Sequence, residues 1–365
     1  MFIKLLNLKV QDFRIMKKFI QFLFLSVVSI SCYVSYSQNN ISDPAPIFQS
    51  QEPLSIKLKM SIKDVKKNTN DSTYLESVLY YKNNSDVYDS LHIELRARGN
   101  NRRENCYYAP LRLKFSKSES KETPFVGNKK LKLVLPCLIE SNNDDYVVKE
   151  YMAYKLYEIV TPVHFKTRLL DIEFIEDKGK RTTTNDLKGF LIEDVDNVAK
   201  RLNGNEIKRR IMPLQQDDLA SVRNSYFQYM IANTDFSTMY NHNGKLLFVD
   251  KKIIPLPYDF DMSGLVNTSY AVVSNVQNMN LDITEVTERA YKGYIRDEKI
   301  FYQVREEFLN NRTKMFAAID DLEQYFKDKN QYIRARKFIE SFFDILANDK
   351  SFKRHILDKA RKGKD

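Results

Sequence analysis

Carboxylates and amides recur at close spacing in residues 231–261, which read IANTDFSTMYNHNGKLLFVDKKIIPLPYDFD. Asp235 follows the end of a predicted helix, Asn241, His242 and Asn243 come six to eight residues later, and the stretch closes on Asp259-Phe260-Asp261. Phosphoryl transfer needs a carboxylate to orient the attacking hydroxyl, with a second carboxylate and an amide oxygen to hold magnesium on the nucleotide phosphates. Those residue types occur here in that order. Between them, residues 245–249 and 252–256 read as two short strands around Asp250-Lys251, a hairpin that would bring Asp235 and Asp259 together. In an extended segment Asp259 and Asp261 point to opposite sides, so one can serve a metal while the other braces the loop. Taken singly, each residue also fits a plain role. Asp235 can cap a turn, His242 and Asn243 can be loop residues, and Asp259 and Asp261 can bond a tight turn after Pro257. The order of the set is what points to chemistry.

The elements that must position these groups follow from periodicity. From Leu54 to about residue 195 apolar residues alternate in period two: Leu54, Ile56, Leu58, Met60 and Ile62; Leu91, Ile93 and Leu95; Leu111, Leu113 and Phe115; Leu131, Leu133 and Leu135; Leu170, Ile172 and Phe174. This predicts a half-buried, mostly antiparallel sheet. One insertion, residues 145–160, spaces Val148, Tyr151, Met152, Lys155, Leu156 and Ile159 as a helix that Pro162 stops. After Asn203-Gly204 the pattern becomes helical: residues 217–232 behind Asp217 and Asp218, then 298–326, 331–347 and 350–361. The plan is α+β in two lobes, with a sheet-rich first half (54–195), a helical second half (196–365) and a ligand cleft between them.

Of the 365 residues 43% are hydrophobic and 29% charged, an ordinary globular balance that excludes collagen, wholesale disorder and a multi-pass membrane protein. The formal charge of +10 favours acidic partners. The runs Lys208-Arg209-Arg210 and 359–364 are short and lack interleaved aromatics, so a solvated face accounts for them better than nucleic acid. Residues 1–37 have the order of a secretory signal: Met16-Lys17-Lys18, an apolar run from Phe19 to Ile30, then small and polar residues up to Ser37. Met16 is an alternative start. Export with cleavage near Ser37 is the first expectation, and lipidation of Cys32 in Ser29-Ile30-Ser31-Cys32 is the second. Residues 38–53 read as a tether, and no later run is long enough to span a bilayer. Cys106 and Cys137 remain after cleavage, either paired in an oxidising compartment or as two buried thiols.

Several strings resemble a known family. Asn233-Thr234-Asp235-Phe236-Ser237, His242-Asn243, Pro257-Tyr258-Asp259-Phe260-Asp261 and Ser263-Gly264-Leu265-Val266 look like the catalytic region of the CotH-type (spore coat protein H) kinase-like proteins. Arg96-Ala97-Arg98-Gly99-Asn100 with Pro110-Leu111-Arg112-Leu113-Lys114-Phe115, and Gly189-Phe190-Leu191-Ile192-Glu193-Asp194, are similar to its first-half motifs. The resemblance implies an exported, atypical protein-kinase-like fold, with a sheet-rich N-lobe carrying one helix and a helical C-lobe. It implies a kinase that transfers the γ-phosphate of ATP, with Mg2+ or Mn2+, to a Ser or Thr hydroxyl of a protein or to another hydroxyl. Asp235 falls at the catalytic position, Asp259 at the metal aspartate, and Asn243 or Asn241 at the second metal ligand, with Asp261 the further carboxylate of that set. Lys114 would steady the phosphates with Glu150 as its partner, Arg98 and Asn100 would lie over them, and Glu193 would complete the nucleotide set. The chain departs from ordinary kinases in having no Gly-x-Gly-x-x-Gly loop, a longer step from Asp235 to Asn243, and Phe236 after the aspartate. The alternative expectation is an inactive kinase-like scaffold that binds cell-envelope material.

Overall fold

Leu54–Met60 (β1) buries every second side chain, which is the signature of a strand with one face on a core. A computed structural model describes residues 41–99, 101–139, 143–274, 276 and 281–363. Asp43–Asp365 form one compact unit. Ser61 then accepts a hydrogen bond from the Asp64 amide and caps a helix, Ile62–Asn68 (α1). Ile62 therefore starts a helix and does not extend the strand, a local cap having overridden the alternation. Next come Leu75–Lys82 (β2), Tyr88–Ala97 (β3), the short helix Asn101–Asn105 (α2), Leu111–Phe115 (β4) and Lys130–Val134 (β5). Asn143–Val160 (α3), Thr167–Asp177 (β6) and Thr182–Ile192 (β7) complete the first half.

These strands do not make the predicted sheet-rich N-lobe of a two-lobed, kinase-like fold. They close into a seven-stranded barrel in the order β1-β2-β3-β4-β5-β7-β6. The closing seam is parallel, from Leu54 opposite Leu170 to Met60 opposite Glu176, and the other neighbours are antiparallel. Alternation in a strand reports which face is apolar but not which strand lies beside it, so closure was not visible in the pattern. Ile56, Leu58, Leu79, Leu95, Leu113, Leu133, Ile172 and Phe174 fill the interior. Gly189 packs against this filling, since a Cβ there would meet the Ile172 side chain at 2.5 Å.

The same strands present their other face to a second core. Val134, Leu169, Phe190 and Ile192 lie against Tyr151, Met152, Tyr154 and Leu156 of α3. That helix is buried nearly all round, including Lys149 and Glu150, which explains why its apolar spacing was clear and its amphipathicity weak. Val195–Arg201 (α4), Asn205–Glu206 (β8) and Asp218–Met230 (α5) follow, with Asp217 capping α5 through the Ala220 amide. Gly244–Val249 (β9) and Lys252–Pro257 (β10) form the predicted hairpin, turned by Asp250 and Lys251 at φ 48° and 62°. With β8, a strand not predicted from the sequence, the hairpin makes a separate three-stranded sheet, order β10-β9-β8. Glu298–Asp320 (α6), Lys329–Ala347 (α7) and Asp349–His355 (α8) finish the chain near their predicted ranges. Phe301, Phe308, Ile339, Phe342 and Phe352 join them to α5 through Tyr226 and Tyr229. Among the described residues no helix is long and apolar enough to cross a membrane. The predicted signal, with Cys32, lies outside the described residues.

Candidate functional site

The loop from α5 to β9 is built to hold one carboxylate. Ala232 leaves the helix at φ 48°, and its carbonyl and that of Ile231 accept the amides of Gly264 and Leu265. Only glycine fits at 264, because a Cβ would stand 2.3 Å from the Val286 carbonyl. The Asn233 side chain accepts the Asp235 amide at 2.9 Å, and the buried Lys292 ammonium donates to the carbonyls of Thr234 at 2.6 Å and Phe236 at 2.8 Å. Asn241 and Asn243 take φ 53° and 49°, a conformation that asparagine tolerates better than most residues. Ser237 and His242 bond each other's backbones and fold the loop back, so that both side chains after Asn241 return to Asp235.

Asp235 receives three side-chain donors. His242 Nε2 lies 3.1 Å and Ser274 Oγ 2.8 Å from its Oδ1, and Asn243 Nδ2 lies 2.8 Å from its Oδ2. Burial alone would raise its pKa. The bonds from His242 and Ser274, the His242 charge and the Asn243 bond outweigh that, and the carboxyl titrates below its ordinary value. The same contact with Asp235 raises His242, against an opposing effect of burial.

Asp235, Asn241, His242, Asn243, Asp259, Asp261, Arg98, Arg102 and Ser274 line one cavity of about 660 Å³. The hairpin does bring the two ends of the acidic stretch together. Asp259 is held at φ 67°, a costly conformation for a residue with a Cβ, and its amide donates to the Tyr154 hydroxyl at 3.0 Å. Among the described residues its carboxylate has no hydrogen bond or ion pair, and neither has the Arg98 guanidinium beside Gly99, which turns at φ 76°. Asp261 is committed elsewhere. It lies 3.7 Å from Arg102, accepts the Tyr270 hydroxyl at 2.9 Å and is buried, which makes it the brace of the loop.

Three predicted positions, Lys114, Glu193 and Glu150, do not line the cavity. Lys114 is on the polar face of β4, as its parity requires, but that face is outside the barrel: it pairs with Glu94 at 2.5 Å and lines a separate depression with Glu76 and His92. It does not meet Glu150. Glu193 is buried against Arg201 at 3.1 Å and the Lys166 amide at 3.0 Å, tying the end of β7 to β6 outside the cavity. Asn100 lies outside the described residues.

Glu150 points instead at Arg102, 3.8 Å away, so that one guanidinium stands between two buried carboxylates. Arg102 also donates to the Leu135 carbonyl at 2.7 Å. Burial, then the proximity of Asp261, pushes Glu150 up to about 8, against the attraction of Arg102. A carboxyl raised on folding contributes stability that is present below its unfolded value and lost as pH rises through its folded one. The wild type is therefore expected to lose on the order of 1–3 kcal/mol relative to Glu150→Gln between about pH 4.5 and pH 8. Urea unfolding of both proteins across that range measures it, and a pH-independent difference would show that Glu150 is ionised throughout.

The lysine that sequence reasoning missed is Lys132, on β5 directly before α3 and opposite Arg112 in the ladder. It is only 7% exposed, and among the described residues its ammonium has no hydrogen bond or ion pair. Its Nζ stands 4.1 Å from the centre of the Tyr258 ring and 5.3 Å from that of Phe165. Burial, with Arg98 and Arg112 nearby, pushes it down to about 7, while Asp259 and Asp194 oppose the shift. Its signal in the sequence is faint: one of two lysines alternating with leucines in Lys130-Leu131-Lys132-Leu133. Cys106 and Cys137 are joined as a disulfide, which ties the end of α2 to the chain after β5 and so links the segments that carry Arg102 and Lys132.

The cavity thus combines a positioned carboxylate with a carboxylate beside an asparagine and a guanidinium that have no partner among the described residues. Among the described residues no three His, Cys, Asp or Glu side chains converge as a metal cage. A divalent ion here would share its coordination with the phosphates of a ligand, which is how magnesium is commonly held. No protein-family model matches the chain, and no curated protein matches it in sequence.

Proposed function

We propose that this cavity transfers a phosphoryl group from a magnesium or manganese nucleoside triphosphate, ATP in the first instance, to a hydroxyl acceptor. The observation that carries the proposal is the meeting of Asp235, Asn243, Asp259 and Arg98 in one cavity, with the last two lacking protein partners among the described residues. Asp235, kept ionised by its three donors, would accept the hydrogen of the attacking hydroxyl and aim its oxygen. Asp259 and the Asn243 carbonyl oxygen would hold the metal, which when bound neutralises phosphate charge. Arg98 would lie along the phosphates, and Lys132, behind Tyr258, would add positive potential from the barrel side. The resemblance of these motifs to the CotH-type proteins supports the chemistry. The Cys106–Cys137 bond supports export to an oxidising compartment, where the acceptor would be a Ser or Thr of a protein or another hydroxyl.

Calorimetric titration of magnesium ATP into the chain, beside Asp259→Asn, tests this reading. Binding that the substitution weakens by at least tenfold is expected, as for loss of a charged metal ligand. Absence of binding to the wild type would refute it and favour a scaffold whose basic surface binds polyanions with strong salt dependence.

A further inference from the structure

A hydroxyl already occupies the place where an acceptor must stand. Catalysis by a carboxylate base needs the acceptor oxygen within hydrogen-bond reach of it, with the hydroxyl hydrogen on the bond. Ser274 Oγ donates to Asp235 Oδ1 at 2.8 Å and lines the cavity together with Asp259, Asn243 and Arg98. Its backbone is registered on the same loop, the Ser274 amide donating to Thr234 Oγ1 at 3.1 Å. The Val276 amide donates to Ser274 Oγ at 3.3 Å, which among the described residues leaves one lone pair of that oxygen unused. Other hydroxyls around the site are engaged differently: Tyr270 donates to Asp261, while the Thr234 and Ser237 oxygens accept the Ser274 and Tyr240 amides.

We propose that Ser274 is a phosphoacceptor of its own chain's site, modified in cis. The proposal rests on the phosphoryl-transfer reading. Ser274 Oγ would form a bond to the γ-phosphorus of the nucleoside triphosphate as the bond from that phosphorus to the β–γ bridging oxygen breaks. The hydroxyl proton passes to the Asp235 carboxylate and then to solvent, and the nucleoside diphosphate leaves. The product carries close to two negative charges beside Asp235 and Asp259, so the phosphorylated side chain is repelled from the carboxylate that Ser274 now bonds. The first turnover would in this way uncover the acceptor position for other hydroxyls.

The test is incubation of the full chain with magnesium ATP, with phosphopeptide mass spectrometry and a titration for nucleotide binding on the same preparation. Phosphate is expected on Ser274, absent from Ser274→Ala and Asp235→Asn, retained on the hydroxyl of Ser274→Thr, and formed at a rate constant that stays the same across a protein dilution series. If nucleotide binds and is consumed, or a mixture of Ser- and Thr-containing peptides is phosphorylated, while Ser274 stays unmodified, the proposal falls and the transfer reading stands. A rate constant that rises with protein concentration overturns the in-cis step. No nucleotide binding overturns both.

Discussion

Asp235→Asn is expected to lower phosphoryl transfer by about 10²–10⁴-fold while leaving the affinity for magnesium ATP within a few-fold of the wild type. The amide is nearly isosteric, so the loop held by Lys292 and Asn233 keeps its shape. What is lost is the negative charge and the capacity to take a proton. The oxygen that remains can still accept from Ser274 or Asn243, but not from both of them and His242 as the carboxylate does. Because Asp259 and Arg98, the groups proposed to meet the metal and the phosphates, belong to other segments, nucleotide binding is expected to survive the loss of this group. Single-turnover transfer with a titration on the same protein separates the two effects. Turnover at the wild-type rate would remove Asp235 from the chemistry, and a parallel collapse of binding would recast it as a metal ligand.

The second large effect is on stability. Arg102→Met leaves Glu150 and Asp261 buried without the cation between them, and loss of one partner of a buried pair costs about 3–5 kcal/mol. Methionine fills a comparable volume, so the charge is isolated from the packing. Proton uptake softens the penalty, and since Glu150 is already raised, the loss is expected to be smaller at pH 5 than at pH 8. Adding Glu150→Gln to Arg102→Met is expected to return part of it. Urea unfolding at the two pH values gives both comparisons, and a loss below about 1 kcal/mol at pH 8 would mean that solvent, not Arg102, satisfies these carboxylates.

Local patterns were readable and long-range ones were not. The helix ending at Val160, the hairpin around Asp250-Lys251 and the starts of the three terminal helices follow from periodicity, although the first and third of those helices stop at Asp320 and His355, short of the predicted 326 and 361. The acidic stretch was readable too, because Asp235, Asn243 and Asp259 are brought together by that same hairpin. Barrel closure was not, because Leu54 and Leu170 carry no mark of being neighbours. Lys114 and Lys132 show the limit most clearly. Both alternate with leucines, and parity assigns each to the outer face, but only the neighbours of a strand decide whether that face meets solvent or a second layer. Lys132 lies under Tyr258 and Phe165, Lys114 beside Glu94. Lys292 and Ser274 reach Asp235 and its loop from a segment without motif or period, and tertiary folding alone delivers them.

The parallel seam between β1 and β6 has a consequence for how the molecule is made. The strand that closes the barrel is synthesised first and must wait for its parallel partner until β2 to β5 and α3 have appeared. Hairpins such as β2-β3 and β3-β4 can zip as they emerge, whereas the seam must wait for a large loop to close, which slows folding. During that interval Leu54, Ile56 and Leu58 present an unpaired apolar edge. If the chain is exported N-terminus first, as proposed, this edge would enter the new compartment ahead of the strand that covers it, and the capture of residues 54–60 by Thr167–Asp177 would be a step exposed to holding chaperones and proteases there.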